Sequence, residues 1–254
     1  MTAWTAFGAS DIGCVRARNE DAFAVADDLG LYLVADGMGG HAGGAVASRL
    51  ARDGVVDYLR RANRASIPVG DLLARAVAAA NAAVRARAAR EPDLAGMGTT
   101  LTALWLPPGS AGGIVAHVGD SRVYGLGDDG VLAQLSDDHS VAMERVRAGA
   151  ISLAQARRSA GWNWLTRAVG IDEWIAADVF PVAGQRAFLL CSDGLTGMVD
   201  DIEIGRLLRH HADDPRAARE ALIEAAITAG GDDNVTVIVV HDRGSPLPRP
   251  NSRP

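Results

Sequence analysis

Apolar runs rich in β-branched and aromatic residues recur along the chain: AFAVAD (22–27), LYLVAD (31–36), TTLTALWL (99–106), GIVAHVGD (113–120), RVYGLG (122–127), AFLLCSD (187–193) and NVTVIVV (234–240). Their length and composition predict strands. Two Ala/Arg-rich stretches, about 43–64 and 69–90, predict helices. In the second, Leu72, Leu73, Ala76, Val77 and Ala80 follow a spacing of three and four that lays them on one face. Another helical region is expected at about 140–158, and a last pair at about 200–211 and 214–229, divided by Pro215. Strands come in blocks and helices in pairs, without strict βαβ alternation. That order predicts an α+β layered domain with mostly antiparallel sheet. No repeat is visible and no Pro/Gly linker divides the chain before residue 243, so residues 1–243 are expected to form one domain. The end, RGSPLPRPNSRP, lacks an apolar pattern, and 244–254 is expected to be a disordered Pro-rich tail.

The apolar runs share an oddity at their ends. Asp36, Asp120 and Asp193 each close an apolar run, Asp232 and Asp233 precede another, and Asp21 stands beside the run at 22–27. Each has Gly, Ser or Asn nearby. Read singly, an aspartate beside a strand is turn or cap chemistry. As a set at strand ends, these carboxylates point elsewhere, because a buried carboxylate needs a compensating partner. Arginines could serve. The glycine-rich surroundings favour something compact, such as a hard divalent cation held by carboxylates, backbone carbonyls and water. Asp36 would then be a ligand, with the Gly37 carbonyl as a second.

Totals narrow the field. Of 254 residues 48% are hydrophobic, enough for a substantial core. The net charge is −6 without a basic run, which argues against nucleic acid and anionic membrane as partners. No apolar stretch reaches the length of a membrane span and the N-terminus lacks a signal-peptide pattern. Cys14 and Cys191 are the only cysteines and fit a reducing cytosol as small core residues. There is no lysine, so all 25 basic residues are arginine, which excludes a Walker lysine and Schiff-base chemistry. A cysteine phosphatase would need an arginine six residues beyond its nucleophile, where this chain has Gly197 and Glu20. No His or Cys pair has zinc-ligand spacing. His117 reads as a core or sheet histidine, His139 as part of a turn, and His210 and His211 as helix-end residues suited to the dipole. GMGGHA (37–42) satisfies a dinucleotide fingerprint, with Asp57 about 20 residues on. Against a dinucleotide-binding protein, Asp36 would sit beside the pyrophosphate, no parallel βαβ series follows, and the other aspartates stay unexplained.

In order along the chain, SDIGCVRARNEDA, VADGMGGHAGGAVAS, GMGTTLTAL, HVGDSRVYGL, LSDDHS, LTRAVG, LLCSDGLTGMV and GGDDNVTVIVV resemble the motifs of the metal-dependent protein serine/threonine phosphatases, the PP2C-type or PPM family, in its compact bacterial form. The resemblance covers about 8–243. It implies a four-layer α-β-β-α sandwich of two mostly antiparallel sheets, with two Mn²⁺ or Mg²⁺ ions at one end. By the same resemblance Asp36 bridges both ions, Gly37 lends its carbonyl, Asp193 and Asp233 hold one ion, and Asp21 helps through water. Asp120 matches the site of a weaker third ion, sharing Asp193. The implied reaction is in-line attack by a metal-activated water on a phosphoserine or phosphothreonine of a protein, without a phosphoenzyme. Arg16 matches the phosphate-gripping arginine, whose planar fork suits two oxygens. His41 is the candidate proton donor to the leaving oxygen; some relatives place their histidine directly after DG, where MGG intervenes here. Residues from about 139 to 170 match the flap, in which Trp162 and Trp164 are expected to anchor the segment, a substrate-facing surface being the alternative. The implied setting is a cytoplasmic monomer opposing a bacterial Ser/Thr kinase. A phosphatase-like sensing or binding module and a small-molecule phosphatase are the competing readings.

Overall fold

The structure is a computed structural model that describes residues 4–39, 43–62, 67–110, 112–159 and 161–242. The expected tail at 244–254 lies outside them. Strand β1 (Trp4–Asp11) is followed by β2 (Ala22–Ala26), β3 (Leu31–Ala35) and the short β4 (Gly37–Met38). A helix pair comes next, α1 (Gly43–Arg61) and α2 (Val69–Ala88). A strand block follows: β5 (Gly98–Thr99), β6 (Leu101–Trp105), β7 (Gly113–Val118), β8 (Arg122–Gly127) and β9 (Leu132–Gln134). Short helices α3 (Val141–Arg147) and α4 (Leu153–Ala156) lead to β10 (Asp178–Val182) and β11 (Gln185–Cys191). The last elements are the one-turn α5 (Asp193–Thr196), the pair α6 (Asp201–His210) and α7 (Pro215–Thr228), and β12 (Val235–Asp242).

Two five-stranded antiparallel sheets result, ordered β1-β12-β11-β8-β9 and β10-β7-β6-β3-β2, beside a small β4-β5 ladder. The apolar runs explain the layering. Every residue of β3 is buried, so both of its faces are covered. Leu31, Leu33 and Ala35 join a core with Leu59, Leu72 and Val77 of the first helix pair. Tyr32 and Val34 point the other way, among Phe188, Leu190, Ile238 and Val240 of the facing sheet. In β11 and β12 the alternation repeats, with Leu189, Val237 and Val239 packing on Leu207, Leu208 and Leu222 of the last helix pair. Three apolar interfaces between four layers, two of helix and two of sheet, make the α-β-β-α sandwich, as expected. No helix among the described residues is long and apolar enough to cross a membrane.

Some elements differ from expectation. β1 is a full edge strand although Ala6, Gly8, Ala9 and Ser10 give it no apolar run; pairing with β12 from Trp4–Asp242 to Asp11–Val235 defines it. Gly8 leaves room for a neighbouring ring: a Cβ there would lie 2.7 Å from Phe23 and force that side chain to shift. β10 carries Pro181, tolerated because β10 is an edge strand. The single helical region expected at 140–158 is two short helices, broken where Gly149 takes φ +69° and Ser152 starts a new capping box with Gln155.

Candidate metal centre

The registers carry the aspartates to one place. The end of β3 lies level with the start of β2, the start of β6 and the end of β7. In the other sheet the end of β1, the start of β12, the end of β11 and the start of β8 lie level. Asp21, Asp36, Asp120, Asp193 and Asp233 all sit at these ends. A cleft of about 610 Å³ opens there, lined by Arg16, Asp36, Gly37, Asp120, Asp193 and Asp233, with Glu20 and Thr100 on its wall. A smaller cavity of about 290 Å³ shares Asp120, Asp193 and Asp233 and continues past Asp138 and Asp232.

Each carboxylate is placed by its backbone. The Asp36 N–H donates to Thr100 Oγ1 at 2.9 Å, and its carbonyl accepts from Thr100 N and Thr99 Oγ1, both at 2.8 Å. Gly37 is the residue that allows the N-terminus of α1 to close over this strand end: a Cβ would lie 2.2 Å from the Gly44 carbonyl oxygen and 2.6 Å from that of Glu20. Asp193 opens α5, where Gly194 permits the carbonyl of Asn234 to approach within 2.0 Å of a would-be Cβ. Asp233 Oδ1 accepts from Asn234 N at 2.8 Å, and its Oδ2 accepts from Arg16 Nη2 at 2.6 Å.

Asp21 does not line the cleft. It lies behind it, where its Oδ2 accepts from Ser192 Oγ at 2.8 Å and Thr236 Oγ1 at 2.6 Å, and its Oδ1 has no partner. His41 lies outside the described residues.

Charge in the cleft is unbalanced. Burial raises the carboxyl pKa of Asp36, Asp120, Asp193 and Asp21 above the ordinary range, Asp36 and Asp120 well above it. Mutual repulsion adds to this: Asp21, Asp193 and Asp120 act on Asp36, Asp193 on Asp120, and Asp233 on Asp193. Asp193 Oδ1 is buried without a hydrogen-bond partner, as is Asp21 Oδ1. Arg16, from an exposed loop, reaches Asp233. Among the described residues no three His, Cys, Asp or Glu side chains close on one point as a finished cage. The carboxylates line a wall and leave oxygens free, the form expected where backbone carbonyl and solvent complete the shell of a hard cation. Oxygen-only donors, uncompensated negative charge and partnerless buried oxygens all fit Mn²⁺ or Mg²⁺ and do not fit zinc.

Features with no mark in the sequence complete the site. Asn234 clamps the loop that carries Arg16: its Nδ2 donates to the carbonyls of Ile12 and Arg18, both at 2.9 Å, and its Oδ1 accepts from Glu20 N at 2.8 Å. Arg122 forms a buried two-pronged pair with Asp138 at 2.8 and 2.6 Å, tying LSDDHS to the strand after Asp120. Spacing along the chain cannot reveal such pairs, since the partners are set by folding alone.

Other expectations separate clearly. His117 is a core histidine, bonded to Thr102 Oγ1 at 2.9 Å and the Asp137 carbonyl at 3.0 Å; burial lowers its pKa to about 4. His139 is buried rather than in an open turn. Its Nδ1 accepts from Gly119 N, so its Nε2–H donates to Asp178 Oδ2 at 3.0 Å. Cys191 is buried, its thiol pushed up to about 12 by burial, which disfavours a thiolate nucleophile. Cys14 is exposed on the Arg16 loop, which corrects its reading as a core residue; its N–H donates to the Gly231 carbonyl at 2.7 Å. Both cysteines are free. Trp164 is 63% exposed and does not anchor its segment; Trp162 is half-buried on the smaller cavity. The strand before GMGGHA pairs only with antiparallel neighbours, so no dinucleotide fold surrounds that fingerprint.

Sandwich and acidic cleft together have the form of a metal-dependent phosphatase. The profile of the protein phosphatase 2C family matches residues 15–224. The serine/threonine phosphatase stp of Listeria innocua is 37% identical over 238 residues, which cover 91% of this chain and 93% of that protein. The serine/threonine protein phosphatase PstP of Mycobacterium tuberculosis is 43% identical over 242 residues, covering 91% of this chain and 43% of that longer protein. The crystal structure of the PstP catalytic domain in complex with two manganese ions superposes with a TM-score of 0.82 at 35% identity, covering 94% of this chain and 97% of that one. The chain belongs to the protein phosphatase 2C family and is, as such, an enzyme.

Proposed function

We propose that this chain hydrolyses phosphoserine and phosphothreonine in proteins, using Mn²⁺ or Mg²⁺ held in the acidic cleft. The observation that carries the reading is the convergence of buried carboxylates from separate strand ends with oxygens left unpartnered. Relatives named as serine/threonine phosphatases and a manganese-bound neighbour support it.

In this reading Asp36, the Gly37 carbonyl, Asp193 and Asp233 would hold two such ions. Asp120 and Asp193 would hold a weaker third ion, and Asp21 would support the cluster from behind. Bound divalent cations supply an activated water and neutralise phosphate charge. The remaining work falls to the chain. Arg16 is half-exposed at the rim and bonds Asp233 through one nitrogen, so its fork can turn to two phosphate oxygens as substrate enters. Asn234 holds the loop that presents it. His41 donates a proton to the departing serine or threonine oxygen. Residues 1–243 act as the catalytic domain, with 139–170 as its flap. The setting we assign is a cytoplasmic monomer opposing a bacterial Ser/Thr kinase; two free thiols support a reducing compartment.

The test is phosphate release from a phosphoprotein in Mn²⁺. Wild-type chain releases it, and Asp36→Asn, still folded by circular dichroism, does not. Release by both at equal rate, or by neither, overturns the reading.

A further inference from the structure

We propose that His139 is a positioning residue for Asp120: its Nδ1 accepts from the Gly119 N–H and so fixes the turn that aims the Asp120 carboxylate into the cleft, toward a metal ion. This rests on the metal reading above and gives the run SDDH, 136–139, a task within it.

Asp120 stands on the tight turn between β7 and β8. Gly119 takes φ +107° there, and a Cβ on it would lie 2.6 Å from Thr100 Cγ2, so the turn is shaped for glycine and packs on Thr100. No side chain at 119 can brace it. The bracing comes from 136–139. Val123 N donates to Ser136 Oγ at 3.1 Å, His117 is bonded to the Asp137 carbonyl at 3.0 Å, and Arg122 is forked on Asp138 at 2.8 and 2.6 Å. His139 reaches the residue next to Asp120. Its backbone N donates to the Gly119 carbonyl at 2.8 Å, and Gly119 N donates to the ring at Nδ1, at 3.1 Å. Both backbone groups of Gly119 thus end on one residue.

This arrangement demands one form of the ring. Nδ1 accepts only when it carries no proton, so in the neutral imidazole the proton sits on Nε2. Nε2 faces Asp178 Oδ2 at 3.0 Å, on the edge strand β10. A carboxylate opposite one ring nitrogen selects the tautomer that donates to it. Arg167 holds the other oxygen of Asp178 at 2.7 Å, so that carboxylate is itself fixed. Burial lowers the His139 pKa below its ordinary value, which keeps the ring neutral. The bond from Gly119 is buried, so loss of the acceptor leaves an unsatisfied N–H or moves the turn.

A histidine that only fills space is replaced by any side chain of similar bulk. A histidine that positions the turn is replaced only by one with an acceptor at the Nδ1 place. Asparagine carries its amide oxygen there; glutamine carries its amide at the Nε2 place. The two substitutions therefore separate packing from positioning, because the smaller side chain keeps the bond and the larger one loses it.

The experiment measures Mn²⁺ binding to chelator-treated protein by isothermal titration calorimetry, with Asp120→Asn marking the part of the binding that depends on this carboxylate. His139→Gln is expected to weaken that part about tenfold. His139→Asn is expected to stay within about twofold of wild type, since the Gly119 N–H keeps its acceptor. A loss in His139→Asn as large as in His139→Gln, or no loss in either, overturns the proposal. The unaltered protein supplies a second reading that no folding defect can obscure: two-bond ¹H–¹⁵N spectra of the metal-free chain should show His139 protonated at Nε2 and bare at Nδ1, and a proton on Nδ1 overturns the proposal. Wild type that binds no Mn²⁺, or Asp120→Asn that binds it as wild type does, would fail the metal reading of that carboxylate itself, and this proposal with it.

Discussion

At Asp36 two demands meet in one residue. Its backbone is fixed by Thr99 and Thr100, while its carboxyl is buried among other carboxyls. The aspartates were legible because each interrupts an apolar run at its end, where turn chemistry alone explains one case but not a set. Arg16 was legible only through its motif, and its bond to Asp233 joins positions 217 apart, which no spacing reports. Arg16→Ala is expected to raise KM for a phosphopeptide with kcat less affected, since the guanidinium binds phosphate in ground and transition states alike; steady-state kinetics at saturating Mn²⁺ will show it, and an unchanged KM removes Arg16 from the phosphate site. His117 makes a prediction in pH. Folded His117 is held near 4 against 6.5 for the free side chain. The unfolded chain therefore takes up the proton first, and acidification from about 6.5 to 4 favours unfolding by up to about 1.4 kcal/mol per pH unit. His117→Asn lacks this penalty, so its stability deficit relative to wild type should narrow as pH falls through that window, measured by urea unfolding. A gap that stays constant with pH would contradict the neutral buried imidazole.

Between single residues and the sandwich lie the elements, and here local and distant causes divide. Strands buried on both faces were visible as continuous apolar runs, the second helix through its three-and-four spacing, and the last helix pair through its division at Pro215; the caps Asp200 and Asp214 emerge in the structure. β1 was invisible because its stability comes from β12 rather than from its own small residues. The helical region expected at 140–158 is interrupted because Gly149, with its positive φ, ends α3. The loop between β1 and β2 has neither sheet nor helix to hold it, and Asn234 at the head of β12 supplies the restraint. Asn234→Ala would leave those backbone groups unpaired, at a cost of about 1–3 kcal/mol in stability. It should also raise KM for phosphoprotein, because the loop presents Arg16. Thermal denaturation and kinetics together check this; a loss of stability with unaltered KM would make Asn234 a brace of the fold alone.

Seen whole, the molecule spends burial on holding like charges together, and a ligand that relieves them should tie both sheets more firmly. Mn²⁺ is expected to raise the thermal midpoint by binding only the folded state, worth about 2.7 kcal/mol at a hundredfold excess over Kd, with EDTA reversing it. Asp193→Asn should erase most of that gain while making the metal-free protein no less stable than wild type, since it removes one repelling carboxylate. Scanning fluorimetry with and without Mn²⁺ reads both; a metal-induced shift as large in the variant as in wild type would take Asp193 out of the ion's shell. The amino-acid order by itself determined the strands that are continuous apolar runs, the two helix pairs, and that acids stand at the ends of those runs, because these depend on neighbours along the chain. Tertiary structure alone decided that those acids meet at one end of the sandwich, that Asp21 stands behind the cleft while Arg16 reaches Asp233, and that Trp164 stays in solvent, because register and packing between distant segments set the distances on which charge and contact depend.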